Sequence, residues 1–177
     1  MLRLTLDMDD VMANTHEKLV DIVLNEFDTI YSEPDFATRP LRELLHPKQL
    51  NKLNKYLHKP GFFKDIAVKE GAIETVSQLA RYYEIYVATA AMEFPNSFRE
   101  KYDWLHQHFP FIPWHNIVFC GDKSIIASDY LIDDHVRNIL AFRGQGILFS
   151  APHNLNETAY KRVSNWKEIS ELFLPLV

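Results

Sequence analysis

The sequence contains a single cysteine, Cys120, among 177 residues, so no intrachain disulfide can form and nothing in it calls for an oxidising compartment. The cytosol is the expected location. Glycine is scarce, with five residues, while hydrophobic residues make up 47% and charged residues 24%, which excludes collagen-like, low-complexity and disordered classes. Basic charge is in deficit: 19 Lys and Arg stand against 24 Asp and Glu, a net charge of −5. Without a basic cluster, that balance argues against a nucleic-acid polymer as partner. Long apolar runs are missing too. No stretch approaches the roughly 20 residues of a membrane helix, and the N-terminal segment is apolar only as far as Asp7, too short for a signal-peptide core of about 7–15 residues. No membrane partner is expected, and no feature of the pattern bears on oligomeric state.

What remains is one soluble domain with room for a small insertion. Leu2, Leu4 and Leu6 alternate with Arg3 and Thr5 as a short strand ending in acid. Asn14 and Thr15 are candidate caps for a helix through Leu19, Val20, Val23, Leu24 and Phe27. From Asp28 to about Pro60, Pro34, Pro40 and Pro47 break the chain, and Leu41, Leu44, Leu45, Leu50, Leu53 and Leu57 are spaced for short helices. A helix after Gly71 precedes a compact strand at Ile85–Ala88, and a helix over Phe98 to Phe109 precedes a strand at Ile117–Phe119. Strands at Tyr130–Ile132 and Gly146–Phe149, with helices near Val136–Phe142 and Trp166–Phe173, complete the alternation. Five strands alternating with helices predict an α/β fold with a doubly wound parallel sheet.

Parallel strands place their C-terminal ends on one edge, where ligands bind. That edge collects Asp7 and Asp9 after the first strand, Thr89 after the second, Lys123 after the third, and Asp133 and Asp134 after the fourth. Residues i and i+2 of an extended segment share a face, so Asp7 and Asp9 can project together while Met8 turns away. Several carboxylates in one crevice repel unless a cation joins them, and hard oxygen donors favour Mg²⁺. A carboxylate there can attack phosphorus, a neighbouring carboxyl can protonate the leaving oxygen, and Lys123 and Thr89 can hold phosphoryl oxygens.

The order Asp7-x-Asp9-x-Val11, then Thr89, Lys123 and the pair Asp133-Asp134, resembles the haloacid dehalogenase (HAD) superfamily across nearly the whole chain. More closely, Asp7-Met-Asp-Asp-Val-Met-Ala13, Gly61-Phe-Phe63, Glu70-Gly-Ala-Ile73, Glu100-Lys-Tyr-Asp-Trp104, Asp122-Lys123, Tyr130-Leu-Ile-Asp-Asp134 and Leu148-Phe-Ser-Ala-Pro-His-Asn154 resemble the 5'(3')-deoxyribonucleotidases. The resemblance implies a Rossmann-like core at 1–14 and 68–177, with a helical cap at 15–67 inserted after the first strand. It also implies Mg²⁺-dependent hydrolysis of deoxyribonucleoside monophosphates, small-molecule substrates, through an aspartyl-phosphate. In that reading Asp7 is the nucleophile and Asp9 the acid and base. Asp7, the Asp9 carbonyl and Asp134 hold the metal, Asp133 supports its surroundings, and Thr89 and Lys123 bind phosphate. Asp10 stands where the family usually has Gly, Ala90 where relatives often have a second hydroxyl residue, and His135 where relatives often carry Arg.

Other readings compete at several positions. Phe62 and Phe63 could stack on a nucleobase or pack as hinge hydrophobes, with Tyr31, Phe36 and Tyr56 as weaker base-contact candidates. Glu100, Lys101 and Asp103 read as a solvated helix face. His106 and His108 lie two apart on a helix and cannot share its face, which argues against a zinc site with His115 and Cys120. The loop Ser150 to Asn154 reaches the active edge without an assigned role. The same core chemistry would serve another small organophosphate, such as a sugar phosphate. In a different class, phospho-accepting receiver domains also use acids, Thr, Lys and Mg²⁺ on a parallel sheet, but do not need an acid pair after the Lys. A non-catalytic nucleotide-binding protein is a further alternative, but no position in the catalytic set has been lost.

Overall fold

The computed structural model describes residues 1–174. Six strands, β1 (Leu2–Leu6), β2 (Tyr83–Thr89), β3 (Ile117–Phe119), β4 (Tyr130–Asp133), β5 (Gln145–Phe149) and β6 (Arg162–Val163), form one parallel sheet in the order β3-β2-β1-β4-β5-β6. The sixth strand was not expected. Two residues are too few to show an alternation, and β6 exists only because Leu148 and Phe149 pair with Arg162 and Val163. The central strand β1 pairs Leu4 with Ile85 on one side and Leu6 with Ile132 on the other. Chain order reverses between β1 and β4, so the crevice beyond their C-terminal ends is the switch point where α/β sheets bind ligands.

Helices α1 (Thr15–Glu26), α2 (Glu33–Thr38), α3 (Leu41–Leu44) and α4 (Pro47–Leu57) follow β1, and α5 (Ala72–Leu79) leads back into β2. Helices α6 (Ser97–His108), α7 (Val136–Ala141) and α8 (Trp166–Phe173) complete the chain of elements. The expected caps of α1 behave differently. Asn14 occupies the cap position without capping, and the Thr15 hydroxyl turns instead to Asp9. Val20 and Val23 of α1 pack with Phe36, Leu44, Leu45 and Leu53 in an apolar cluster of their own, while Phe62, Phe63 and Ile66 belong to the sheet core. Each buried aliphatic contributes roughly 1.5–3 kcal/mol. Leu19 and Ile22 of α1 touch both clusters. Two buried indoles tie outer helices to the loops around β1: Trp104 Nε1 donates to the Ile66 carbonyl at 2.7 Å and Trp166 Nε1 to the Val11 carbonyl at 2.9 Å. Among the described residues, no helix is long and apolar enough to cross a membrane.

Candidate active site

The loop leaving β1 folds back at once: Met12 and Ala13 both donate to the Met8 carbonyl at 2.9 Å, and Asp10 donates to the Ala13 carbonyl at 2.9 Å. The reversal puts Asp10 at φ +57°, the left-handed region where glycine is least strained and Asp is tolerated. Here the Asp10 carboxylate accepts the His16 amide at 2.7 Å, satisfying a free donor in the first turn of α1. Met8 is fully buried, and Asp7 and Asp9 face the crevice together, as the period of an extended segment requires.

Lys123 reaches in from the turn after β3. Its Nζ donates to Asp7 Oδ1 and to Asp133 Oδ2, both at 2.5 Å. Burial opposes the charge on Lys123, but the carboxylates of Asp7 and Asp133 outweigh it and hold the ammonium above its ordinary pKa. Burial pushes the Asp7 carboxyl up to about 7 despite Lys123 against it. Asp133 is saturated: its oxygens also accept the His135 amide at 2.8 Å and Asn138 Nδ2 at 2.9 and 3.0 Å. Asp134 is equally buried, yet its Oδ1 has no hydrogen-bond partner among the described residues. Burial, then the charges of Asp7, Asp10 and Asp133, raises its pKa well above the ordinary range.

Carboxylate oxygens of Asp7, Asp133 and Asp134 lie within 4.8 Å of one another. A hard, all-oxygen donor set with one orphaned buried acceptor fits a bound cation, because that charge would satisfy Asp134 Oδ1 and relieve the repulsion.

Helix α6 corrects the reading of residues 100–103 as a solvated face. Lys101 is 1% exposed, its ammonium paired with Asp9 Oδ2 and donating to the Thr89 hydroxyl at 2.9 Å. Asp9 Oδ1 accepts the Thr15 hydroxyl at 2.8 Å. Glu100 accepts the amides of Gly61 at 2.5 Å and Phe63 at 3.0 Å. Only Asp103 matches the expectation, in an exposed pair with Arg99 at 2.7 Å. Charge alone could not reveal this inward face; the available signal was that Lys101 and Trp104 are three apart on one helical face, and Trp104 is core.

The loop after β5 also has work at the site. Asn154 Nδ2 donates to the Asp134 carbonyl at 2.7 Å and to the Phe149 carbonyl at 2.8 Å, and Arg162 holds Asn154 Oδ1 at 2.7 Å. His153 Nε2 lies 3.0 Å from the Asp134 carbonyl oxygen. Burial lowers the pKa of His135, and burial followed by the neighbouring His135 lowers that of His153 to about 4.

The crevice opens into a cavity lined by Asp7, Asp9, Phe63, Phe94, Lys101 and Lys123. Phe63 faces this space, whereas Phe62 lies outside the lining, edge-on to Phe63 at 4.9 Å. The weaker aromatic candidates stand elsewhere. Phe36 is buried among α1–α4, Tyr31 packs edge-on to it at 6.3 Å, and the Tyr56 hydroxyl bonds Glu26. A second hollow, between α1, α2 and the loop after β5, is lined by His16, Phe36, Lys69 and Ala151 and contains neither Asp7 nor Lys123.

Comparison with known proteins agrees with this geometry. The family model described as 5' nucleotidase, deoxy (pyrimidine), cytosolic type C matches residues 1–176. A 5'(3')-deoxyribonucleotidase of Bacillus subtilis is 37% identical over 172 residues, covering 97% of this chain and 98% of the relative. Among solved structures, a HAD family hydrolase of Deinococcus radiodurans with bound phosphate and sodium superposes with a TM-score of 0.65 at 14% identity, covering 98% of each chain. A Bacillus subtilis HAD-fold structure bound to magnesium superposes at 0.58 and 13% identity, covering 98% of this chain and 99% of the other. The chain therefore belongs to the 5' nucleotidase, deoxy (pyrimidine), cytosolic type C family and is a phosphomonoesterase built on the HAD fold.

Proposed function

We propose that the protein is a Mg²⁺-dependent 5'(3')-deoxyribonucleotidase, releasing phosphate from deoxyribonucleoside monophosphates through an aspartyl-phosphate on Asp7. The carrying observation is the pairing of Asp7 with Lys123 beside the orphaned oxygen of Asp134. The Bacillus subtilis relative's name supplies the substrate class. Asp7, the Asp9 carbonyl and Asp134 would hold Mg²⁺, with Asp133 fixing their surroundings through Lys123 and Asn138. Bound there, the ion supplies positive charge that lets a dianionic phosphate approach a carboxylate.

The steps then follow from the side chains. Lys123 orients the phosphoryl oxygens from the cavity wall, and Thr89, buried with its hydroxyl against Lys101 and Asp9, must turn that hydroxyl toward the cavity to join it. The free oxygen of Asp7 attacks phosphorus, the bond to the ester oxygen breaks, and Asp9 delivers a proton to the leaving alkoxide. Both Asp9 oxygens accept hydrogen bonds, from Thr15 and Lys101, so the oxygen carrying that proton must first leave one of these contacts. Asp9 next takes a proton from water, which attacks the phosphoryl group and frees Asp7. Lys101 holds Asp9 against Thr89 and so positions the acid.

We assign residues 15–67 as a cap that excludes bulk water and selects the base. Phe63 provides the aromatic face toward the cavity, and Phe62 backs it. A cytoplasmic location belongs to the same reading, since the lone, buried Cys120 needs no oxidising environment.

The test is phosphate release from deoxyribonucleotides, ribonucleotides and sugar phosphates, with Mg²⁺ and with EDTA. Metal-dependent release favouring deoxyribonucleotides is expected. Release only from sugar phosphates would keep the chemistry and discard the substrate; no release from any of them would discard both.

A further inference from the structure

We propose that Asp134 is shared by two cation sites. Oδ1 is buried without a hydrogen-bond partner among the described residues, and Oδ2 joins Nε2 of His135 and Nε2 of His153 in a separate three-ligand site for a transition-metal ion of the zinc or cobalt class. The donor atoms of the three residues lie within 4.8 Å of one another. Asp134 Oδ2 is 3.3 Å from His153 Nε2 and 3.8 Å from His135 Nε2. The two imidazoles stack with ring centres 4.7 Å apart and planes inclined by 25°, which sets their Nε2 atoms side by side toward one carboxylate oxygen.

Bonds of about 2.0–2.2 Å at a near-tetrahedral ion separate neighbouring donors by roughly 3.4 Å. His153 already meets that spacing. His135 stands at the cap position of α7 with its side chain half exposed, so a small rotation brings it in. The same exposure gives an ion an entry path and leaves a coordination position for water. His153 Nε2 also lies 3.0 Å from the Asp134 carbonyl, where it is placed to donate, so ligation requires the ring to give up that hydrogen bond, turn its Nε2 lone pair away from the carbonyl and carry its proton on Nδ1.

Donor chemistry separates the two sites. An N₂O set with an open position suits zinc, cobalt or nickel, whereas Mg²⁺ takes oxygen donors and keeps its waters. His153 alone could serve only to orient Asp134 by hydrogen bonding. The second, stacked imidazole from another element is what makes a ligand set. A cation on Oδ2 would also draw charge from the shared carboxylate and weaken its grip on an ion at Oδ1, making this site inhibitory.

The experiment is a Co²⁺ titration of the full chain after chelator treatment, in saturating Mg²⁺, followed by visible absorption, for the wild type, His135→Asn and His153→Asn. The proposal expects an imidazole-ligated cobalt band in the wild type and affinity weakened roughly tenfold or more in each variant. No band in the wild type, or one of unchanged affinity in His135→Asn, overturns it. His135 is exposed enough for that variant to fold, so it decides the matter even if His153→Asn does not. These binding outcomes do not depend on the phosphatase reading. In the activity arm, Zn²⁺ should suppress phosphate release more in the wild type than in His135→Asn, each measured against its own uninhibited rate; equal suppression overturns the inhibitory role.

Discussion

Asp133 and Asp134 are adjacent in sequence and unlike in chemistry. Asp133 is saturated by Lys123, Asn138 and a backbone amide, whereas Asp134 keeps a buried oxygen without a partner. Buried, unpaired acceptors cost about 1–3 kcal/mol, so Asp134 is the residue held ready for something outside the chain. Asp7 combines a paired oxygen with one open to the cavity. Replacing it by Asn removes the carboxylate proposed to attack phosphorus while nearly preserving shape, and phosphate release should fall by roughly 10³-fold or more with an unchanged far-UV spectrum. Turnover close to wild type in Asp7→Asn would remove the nucleophile assignment. Lys101→Met keeps most of the apolar stem but frees Asp9 and Thr89. Its kcat should drop roughly 10–100-fold with a smaller change in KM, because acid–base positioning acts on the chemical step. Steady-state kinetics on one deoxyribonucleotide checks the split.

Among the elements, α6 joins parts of the molecule that are distant in sequence. Asn96 donates to the His58 carbonyl at 2.8 Å, Glu100 accepts the Gly61 and Phe63 amides, and Trp104 donates to Ile66. One helix thus grips the returning end of the inserted helices at three points while Lys101 grips Asp9. Gly61 sits at φ +92°, which only glycine adopts readily, so the strap and its clamp belong together. Glu100→Ala leaves two amides without their acceptor and should lower stability by about 1–3 kcal/mol, read from the urea midpoint. Helix α7 is set by close packing on β5. A Cβ on Gly146 would lie 2.7 Å from Ile139 Cγ2 and 3.4 Å from Ile139 Cα. Gly146→Ala should therefore displace α7, cost about 1–3 kcal/mol, and loosen Asn138 from Asp133; a wild-type melting temperature would contradict this.

For the whole molecule, the dominant electrostatic fact is four carboxylates, Asp7, Asp9, Asp133 and Asp134, converging on one crevice with two buried lysines. An ion bound only by the folded chain stabilises it, by about 2.7 kcal/mol at a hundredfold excess over Kd. Mg²⁺ should raise the melting temperature, EDTA should reverse the rise, and Asp134→Asn should abolish it. The effect should also depend on pH. Burial raises the metal-free Asp7 pKa to about 7 and raises that of Asp134 as well, so as pH falls the metal must displace protons from both. The Mg²⁺-induced shift should shrink as pH falls through about 7; a shift unchanged from pH 8 down to pH 5.5 would contradict the assignment of Asp7 and Asp134 as ligands.

The alternation of strands and helices, the strand-end positions of Asp7, Asp9, Thr89, Lys123, Asp133 and Asp134, and their likeness to one family were legible in the linear chain. The first follows from periodicity and the second from where each strand ends, both local properties, while the likeness rests on motifs matched in order along the chain. Tertiary structure decided what periodicity cannot encode. Lys101 reads as one charge among several on a helix until the helix docks and a buried carboxylate becomes its partner. The resemblance alone separates Asp133 from Asp134 in the linear chain; the physical difference arises when Lys123, Asn138 and a backbone amide satisfy Asp133 and leave Asp134 Oδ1 without a partner. His135 and His153, eighteen positions apart, meet only because β4 and β5 pair in register. Partner choice is set by distance in space, and the chain brings those distances about only when the strands assemble into the sheet and the helices pack on it.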